Sequence, residues 1–225
     1  MRLHVMSDLH LDILNQYARN GFWDRLNDTE RPGTLILAGD IASLSKNKVH
    51  ILIESLNKFE DLYSQIFMVP GNHDFWGTSI KEGLQVLDTL KNKFLKITFL
   101  KPQNRVFKTS GVGFSIGGGT LWFPDCKKDY LKYSWSDYMN IKLSYYQIEQ
   151  QHQDFLKQTD LPDIMVTHHF PTAQSIHPKW KNEETNCFFN ANIGEWISKF
   201  EKLPNLWVHG HTHDPFDYIN SMGLS

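Results

Sequence analysis

Five short apolar runs recur along the chain, and each leads into residues that can bind a metal ion. The runs span 2–7, 34–39, 65–71, 163–168 and 205–210. Each is almost continuously apolar, which is typical of a strand that is buried on both faces of a parallel sheet. Strands of this kind must be covered on both sides. The runs therefore predict an α/β fold.

The segments between these runs support that interpretation. The segments 49–63, 78–94 and 193–200 each place apolar residues along one helical stripe. The region 94–120 reads instead as two or three strands, which we expect to form antiparallel hairpins in a second sheet. The alternation of strands and helices favours an α/β architecture.

The stretch 120–147 is rich in aromatic residues and lysine. It could form a lid that stacks a nucleobase, since base stacking on an aromatic ring contributes roughly 1–3 kcal/mol. The commoner role of such a run is to pack a second core beneath a long loop. The sequence has no internal repeat, linker or evident boundary, so residues 1–225 predict a single domain.

The overall charge argues against a polyanionic partner. The formal net charge is −2, with 23 basic and 25 acidic residues, so there is no strong sign of nucleic-acid binding. No apolar run approaches the roughly 20 residues that a membrane span needs, so no membrane association is expected. The N-terminal stretch carries Arg2 and Asp8 and lacks the apolar core of a secretion signal.

The two cysteines, Cys126 and Cys187, do not form a CxxC pair. One disulfide is arithmetically possible, but nothing indicates a disulfide framework or a zinc knuckle. We expect two reduced, inert thiols in a cytoplasmic protein. The oligomeric state is not indicated by the sequence.

Potential metal ligands follow each apolar run. In α/β proteins, ligands bind at the carboxyl ends of the strands, where several loops converge. Aspartate, asparagine and histidine side chains are suited to divalent first-row metals. A single such residue is more often a turn residue, but five strand ends in sequence order predict one shared site. The residues are Asp8, His10, Asp40, Asn72, His73, His168, His169, His211 and His213.

The same residues carry a resemblance to a known family. The blocks, in order, are DLH (8–10), GD (39–40), GNHD (71–74), THH (167–169) and GHTH (210–213). Together they resemble the signature of the metallophosphoesterase, or calcineurin-like phosphoesterase, family, and they span most of the chain. The resemblance implies a sandwich of two mixed β-sheets flanked by helices, with a metal site at the carboxyl ends of the strands.

The resemblance also implies a centre of two divalent ions, with Mn or Fe favoured over Zn or Ni. Asp40 would bridge the ions. The first ion would be completed by Asp8, His10 and His213, and the second by Asn72, His168 and His211. His169 is the alternative to His168; otherwise it supports the site.

The implied activity is hydrolysis of a phosphodiester or phosphomonoester, in a small or nucleotide-like substrate, through a metal-bridging hydroxide. Two divalent ions, two carboxylates and one hydroxide leave a charge of about +1, which suits an anionic substrate. His73 would protonate or stabilise the leaving oxygen. Asp74 would orient the His73 imidazole and raise its pKa.

Other interpretations of the same residues carry less weight. A non-catalytic scaffold of this fold for protein–protein interaction is the alternative function, although such a scaffold typically loses ligands and none is missing here. A metallo-β-lactamase-type zinc motif is rejected because Asp214 follows His213 instead of preceding it. His209 falls outside the pattern and is expected to support the site.

The chain ends in INSMGLS after Ile219, without the further strand expected from the resemblance. A natural variation, or a truncated or altered C-terminus, would change the last sheet pairing and not the ligand set.

Overall fold

The structure is a computed structural model that describes residues 2–29, 33–101, 113–214 and 217–218, together with the backbone of 107–108. The predicted change at the C-terminus after Ile219 lies outside these residues. Two four-stranded sheets form the centre of the molecule. The first sheet has the order β1-β2-β3-β4, and all its pairs are parallel. Its strands are β1 (His4–Met6), β2 (Thr34–Ala38), β3 (Gln65–Val69) and β4 (Ile97–Phe99).

The second sheet has the order β5-β6-β7-β8. Its strands are β5 (Phe107–Lys108), β6 (Ser115–Gly119), β7 (Ile164–Thr167) and β8 (Leu206–Val208). The β5-β6 pair is antiparallel, whereas β6-β7 and β7-β8 are parallel. The antiparallel pairing between described strands is therefore confined to this sheet.

The region 94–120 differs in part from its prediction. β5 and β6 do pair in an antiparallel manner in the second sheet, as expected. β4 instead extends the first sheet as a parallel strand beside β3. Helix α3 (Ile80–Leu90) lies between β3 and β4 in sequence, and a helical crossover of this length joins parallel strands. The expectation of hairpins alone was therefore wrong for β4.

Seven α-helices occur in the described residues, and the longer ones cover the outer faces of the sheets. They are α1 (Gln16–Asn27), α2 (Val49–Leu62), α3, α4 (Asp129–Lys132), α5 (Ser136–Asn140), α6 (Ser144–Phe155) and α7 (Gly194–Ile197). The start of α3 is fixed by a capping box, in which Ser79 and Glu82 bond each other's backbone N–H groups. Short 3₁₀ turns at Ala173–Ser175, Pro178–Trp180 and Glu184–Phe188 connect β7 to α7.

The apolar residues of each strand divide between two layers. Ile36, Phe67 and Val166 belong to the core between the sheets. The alternate residues Leu35 and Met68 pack with α1, α2 and α3 on the outer side. Because both faces of the central strands are buried, the runs read as continuously apolar in the sequence. The predicted α/β sandwich is confirmed.

The cysteines do not match their prediction. Cys126 and Cys187 form a disulfide with a Cα–Cα distance of 5.6 Å. The expectation of two reduced thiols was wrong because two residues 61 positions apart are brought together only by tertiary packing. The disulfide joins the segment before α4 to the 3₁₀ turn at Glu184–Phe188. The cytoplasmic location stays a prediction.

Among the residues that the structure describes, no helix is both long enough and apolar enough to cross a membrane.

Candidate metal centre

The strand ends that carry the predicted ligands meet at one edge of the sandwich. The N–H of Asp8 donates to the Gly39 carbonyl (3.0 Å), and the N–H of His10 donates to the Asp40 carbonyl (2.9 Å). The N–H of Gly210 donates to the His168 carbonyl (3.1 Å) in the second sheet. These bonds join the loops after β1 and β2, and those after β7 and β8.

The backbone at this edge is unusual. Five of the predicted ligands have a positive φ: Asp8 (55°), His10 (45°), Asp40 (56°), His211 (69°) and His213 (54°). Non-glycine residues seldom occupy this left-handed region, and such outliers concentrate at functional sites. These predicted ligands therefore have backbone conformations that differ from the extended conformation of the strands before them.

Two glycines of the five sequence blocks are explained by close packing. A Cβ atom at Gly39, which has a φ of +90°, would overlap the imidazole of His168. A Cβ atom at Gly71 would overlap the carboxylate of Asp40. Glycine is thus required before Asp40 and before Asn72 because another predicted ligand occupies the space of its side chain.

The first donor group consists of Asp8, His10 and His213, whose candidate ligand atoms lie within 4.8 Å of one another. His213 Nε2 lies 3.3 Å from Asp8 Oδ1. The backbone N–H of His211 donates to both Asp8 oxygens, at 3.2 and 3.1 Å, and so fixes the carboxylate. Burial acts to raise the pKa of Asp8, but the hydrogen bond from His213 and the charge of His168 hold it below its usual value.

The second donor group consists of Asp40, His168 and His211, all of them buried. His168 Nδ1 donates to the Ala38 carbonyl (2.9 Å), which directs Nε2 into the site. This Nε2 lies 2.9 Å from Asn72 Oδ1 and 3.4 Å from Asp40 Oδ2. Asn72 thus stands beside the second group, as the resemblance implies.

Asp40 lies between the two groups. It also forms a third cluster with His10 and His73, and His10 Nε2 is 3.8 Å from Asp40 Oδ2. Asp40 Oδ1 accepts a hydrogen bond from the His73 backbone N–H (2.9 Å). Asp40 is therefore common to two of the three donor clusters found in the described residues.

Two buried atoms show that this site suits a cation. Asp40 Oδ2 and His211 Nε2 are buried and lack a hydrogen-bond partner within the described part of the chain. An unpaired buried polar atom costs roughly 1–3 kcal/mol and is uncommon. Both atoms belong to the second donor group, and both are of a type that binds divalent metals. The residues therefore fit a metal ion.

The pKa values of the histidines in the second donor group also fit a bound cation. Burial alone would lower the pKa of His168, but the negative charge of Asp40, whose Oδ2 lies 3.4 Å from His168 Nε2, raises that pKa to about 10. The two carboxylates, Asp8 and Asp40, therefore stabilise positive charge at this point. Burial, followed by the charge of a neighbouring histidine, lowers the pKa of His211 and keeps its imidazole in the neutral form that binds metals.

His169 does not share the position of His168. It is fully buried, its Nδ1 lies 3.3 Å from the Thr120 carbonyl oxygen, and its ring centroid is 4.3 Å from that of His211. His169 belongs to none of the three donor clusters found in the described residues. The arrangement favours His168 as the ligand and His169 as a residue that packs behind His211.

His73 and Asp74 lie at the site but do not contact each other as predicted. The Asp74 carboxylate accepts from the backbone N–H groups of Asp40 (3.1 Å), Ala42 (3.0 Å) and Gly71 (2.9 Å). It therefore ties the loop after β2 to the loop after β3. The pKa of His73 is lowered by burial, which outweighs the charge of Asp40, and so is not raised as expected.

The His73 imidazole is held instead by Trp76. The two rings stack with a centroid distance of 3.6 Å and an interplanar angle of 22°. Trp76 donates from Nε1 to the buried carboxylate of Asp137 (2.9 Å). Sequence analysis missed both residues. Trp76 could have been suspected as an aromatic residue two positions after the GNHD block, whereas nothing in the sequence connects Asp137 to this site.

His209 and Asp214 lie beside the centre. His209 Nε2 is 3.0 Å from the Ser175 hydroxyl, and His209 belongs to none of the clusters found in the described chain. Asp214 accepts hydrogen bonds from Lys179 Nζ (2.6 Å) and Trp180 Nε1 (3.1 Å). Asp214 therefore anchors the segment that follows β7 beside the ligand His213.

A cavity of about 420 Å³ opens over the donor groups. Asp40, His73, His211 and His213 line it on the side of the metal centre. Its other walls include five aromatic side chains: Trp76, Trp135, Phe170, Trp180 and Phe189. In the segment 120–147, Trp122 and Phe123 are buried in the core, whereas Trp135 lines the cavity; stacking of a nucleobase by this segment stays a prediction.

Comparison with known proteins assigns the family. The family model described as calcineurin-like phosphoesterase matches residues 1–215. The chain belongs to this family. The resemblance carried by the five sequence blocks is confirmed. Members of the calcineurin-like phosphoesterase family use divalent metals, and the chain is accordingly a hydrolase of the phosphoesterase class.

Two individual relatives extend the comparison. An uncharacterized protein of Acanthamoeba polyphaga mimivirus is 26% identical over 250 residues, which cover 96% of this chain and 86% of the viral protein. The crystal structure of a phosphopantetheinyl hydrolase from Mycobacterium tuberculosis matches with a TM-score of 0.71 and 17% identity, over 97% of this chain and 85% of that one. The structural likeness supports the fold.

Proposed function

We propose that this calcineurin-like phosphoesterase hydrolyses a phosphomonoester or phosphodiester, in a small or nucleotide-like substrate, with two divalent ions. Asp40 would be a ligand of both ions. The first ion would be held by Asp8, His10 and His213, and the second by Asn72, His168 and His211. The observation that carries the proposal is the pair of unpartnered buried atoms, Asp40 Oδ2 and His211 Nε2, within the clustered donor groups.

Mn or Fe is favoured as the resident metal, with Zn or Ni as alternatives, because the donors are mixed carboxylate, amide and imidazole groups. When bound, two such ions polarise the phosphoryl group and activate a water molecule for in-line attack. The chain supplies only two carboxylates to set against the +4 charge of the ions. The loaded site is therefore positive and favours an anionic phosphoester.

His73 is proposed to act on the leaving oxygen. It lines the cavity beside Asp40, and its stack on Trp76 fixes the plane of the ring. Because its pKa is lowered, the imidazole is largely neutral at pH 7, and it stabilises the leaving oxygen by donating a hydrogen bond. The role of Asp74 is to hold the loops that carry Asp40 and Asn72 in register.

The cavity indicates the kind of substrate. A space of about 420 Å³ accommodates a nucleotide-sized molecule, and its aromatic walls favour an apolar or planar group beyond the phosphate. None of these features supports a non-catalytic scaffold. The predicted ligands lie close together, and the cavity opens over them, as expected for an enzyme.

The direct test is hydrolysis by metal-depleted protein reloaded with Mn²⁺, Fe²⁺, Zn²⁺ or Ni²⁺. The substrate panel contains p-nitrophenyl phosphate, bis(p-nitrophenyl) phosphate, cyclic nucleotides and a phosphopantetheine ester, the last because of the structural relative. We expect turnover of at least one ester that depends on added metal. Metal-loaded, folded protein that hydrolyses none of the panel would contradict the proposal.

A further inference from the structure

Asp137 has a buried carboxylate that accepts hydrogen bonds from three side chains. It lies in the short helix α5 and is only 1% exposed. Its Oδ1 accepts from Asn72 Nδ2 (2.8 Å) and Trp76 Nε1 (2.9 Å), and its Oδ2 accepts from Trp135 Nε1 (3.1 Å). All three partners are neutral donors. They offset only part of the free-energy cost of burying a carboxylate.

The contact with Asn72 determines which end of the amide faces the metal centre. A carboxylate can only accept, so the Asn72 amide must present its NH₂ group to Asp137. Asn72 Oδ1 then points the other way, where it lies 2.9 Å from His168 Nε2. Divalent cations bind the oxygen of an amide side chain and not its nitrogen. Asp137 therefore selects the orientation of Asn72 that can bind metal.

The same carboxylate also fixes the ring that supports His73. Trp76 donates to Asp137 Oδ1 and stacks on the His73 imidazole at 3.6 Å. One side chain from the aromatic segment 120–147 thus touches two supports of the centre: a proposed metal ligand, and the ring behind the proposed leaving-group residue.

We propose that Asp137 is a positioning residue of the metal centre. It holds the Asn72 amide with its oxygen toward the second ion and, through Trp76, holds the plane of the His73 ring. This inference rests on the proposed role of Asn72 as a ligand. It assigns a function in the site to a segment whose residues lie outside the five sequence blocks.

The test is Asp137→Asn, measured as metal affinity. The variant keeps the shape of the side chain, but its own NH₂ group allows the Asn72 amide to turn over. Loss of a group that orients a metal ligand typically costs 10- to 100-fold in metal affinity. We therefore expect roughly 10- to 100-fold weaker binding of one of two Mn²⁺ ions, by calorimetric titration of metal-depleted protein.

Asp129→Asn is the matched control. Asp129 lies in the same segment, its side chain is 80% exposed, and it pairs with Lys132 and not with Asn72. The Asp129→Asn variant removes the same charge without changing a contact of the Asn72 amide. Both Mn²⁺ affinities should therefore stay within twofold of wild type. An Asp137→Asn variant that folds and binds both ions within twofold of wild type would overturn the proposal.

A double-mutant cycle separates positioning from general support of the fold. If Asp137 acts through Asn72, Asp137→Asn should add little to the affinity loss already caused by Asn72→Ala. If Asp137→Asn lowers Mn²⁺ affinity by the same factor in Asn72→Ala as in wild type, its effect does not depend on the Asn72 amide. The proposal would then be wrong.

A measurement on the unchanged protein covers the case in which the variant fails to fold. The side-chain NH₂ protons of Asn72 should exchange with solvent more slowly than those of an exposed asparagine. Exchange as fast as that of an exposed asparagine would refute the contact. Affinity and exchange are independent of hydrolysis, so inactivity on every ester tested would refute the proposed function and leave this role standing.

Discussion

His213 shows at the residue scale how this site departs from ordinary backbone preferences. Its φ is 54°, a conformation that costs residues with a Cβ atom roughly 1–2 kcal/mol and costs glycine almost nothing. We predict that His213→Gly is more stable than His213→Ala by about 1 kcal/mol. Both variants lose the imidazole, so the difference reports on the backbone alone. Chemical denaturation of the two metal-free variants measures it.

An alanine variant as stable as the glycine variant would show that this backbone carries no strain. The reverse order is the ordinary one within helices, where glycine is the less stable residue by roughly 1 kcal/mol. Glycine is therefore expected to be more stable than alanine at position 213, whereas alanine is the more stable of the two within a helix.

His152 gives a pH-dependent prediction away from the metal centre. It is buried, and its Nδ1 lies 2.5 Å from the Trp122 carbonyl oxygen. Burial lowers its pKa, although this hydrogen bond opposes the shift. The native state therefore resists protonation, while an unfolded histidine binds a proton near pH 6.5. His152 contributes stability that is complete above about pH 6.5 and is lost as the pH falls below it.

We expect the stability difference between wild type and His152→Gln to shrink between pH 7.5 and pH 5. Urea denaturation at several pH values measures the difference, and other titrating groups largely cancel because both proteins contain them. A difference that grows on acidification would contradict the assigned direction of the pKa shift.

At the element scale, the strands could be predicted because each is buried on two faces. After their first residues, Thr34 and Gln65, β2 and β3 are apolar and lead into a block of predicted ligands, so the sequence locates both the strand and the end at which the candidate site lies. α2 and α3 follow from their apolar stripes. α1 was not foreseen because its sequence, QYARNGFWDRLN, buries only Trp23 and Leu26 and has a glycine in its middle.

The clustering of the predicted ligands at one edge of the sandwich could be predicted for a different reason. Three of the five blocks contain a glycine whose side-chain space is filled by another predicted ligand, as that of Gly71 is by Asp40. Asp137 could not be predicted, since it reaches Asn72 across 65 residues and no local pattern marks it. The Asp74 contact was predicted wrongly because adjacency in sequence does not decide which donors a carboxylate meets.

The Cys126–Cys187 disulfide joins the segment before α4 to the turn Glu184–Phe188, part of which lines the cavity. It closes a loop of 61 residues between the turn before α4 and the turn that carries Phe188. A disulfide of this kind typically stabilises by about 2–4 kcal/mol. We predict that the double variant Cys126→Ser/Cys187→Ser loses about this much in the free energy of unfolding, measured by urea denaturation without reductant.

Wild type denatured in the presence of dithiothreitol should match the variant, because reduction removes the same bond. An unchanged denaturation midpoint in the variant would mean that the disulfide is absent in solution or does not constrain the unfolded chain.

At the scale of the whole molecule, the metal centre depends on both sheets. The first sheet supplies Asp8, His10, Asp40 and Asn72, and the second supplies His168, His211 and His213. The interface between the sheets is a continuous apolar core that includes Ile36 and Val166. Because neither sheet alone contains a complete site, metal binding should be lost whenever this interface is disrupted.

Asp40 is the residue on which the two-ion account depends. It lies in two of the three donor clusters found among the described residues, and its Oδ2 lies near both His10 and His168. In Asp40→Asn, the loss of the bridging charge should remove most bound metal together with phosphoesterase turnover.

Counting the bound ions is the most direct test of the proposed two-ion centre. Native mass spectrometry of folded, metal-depleted protein titrated with Mn²⁺ gives the number of ions per chain. We expect two ions in wild type at saturation and at most one, weakly held, in Asp40→Asn. A wild-type chain that binds one ion or none at saturation, or an Asp40→Asn chain that still binds two with wild-type affinity, would contradict the two-ion proposal.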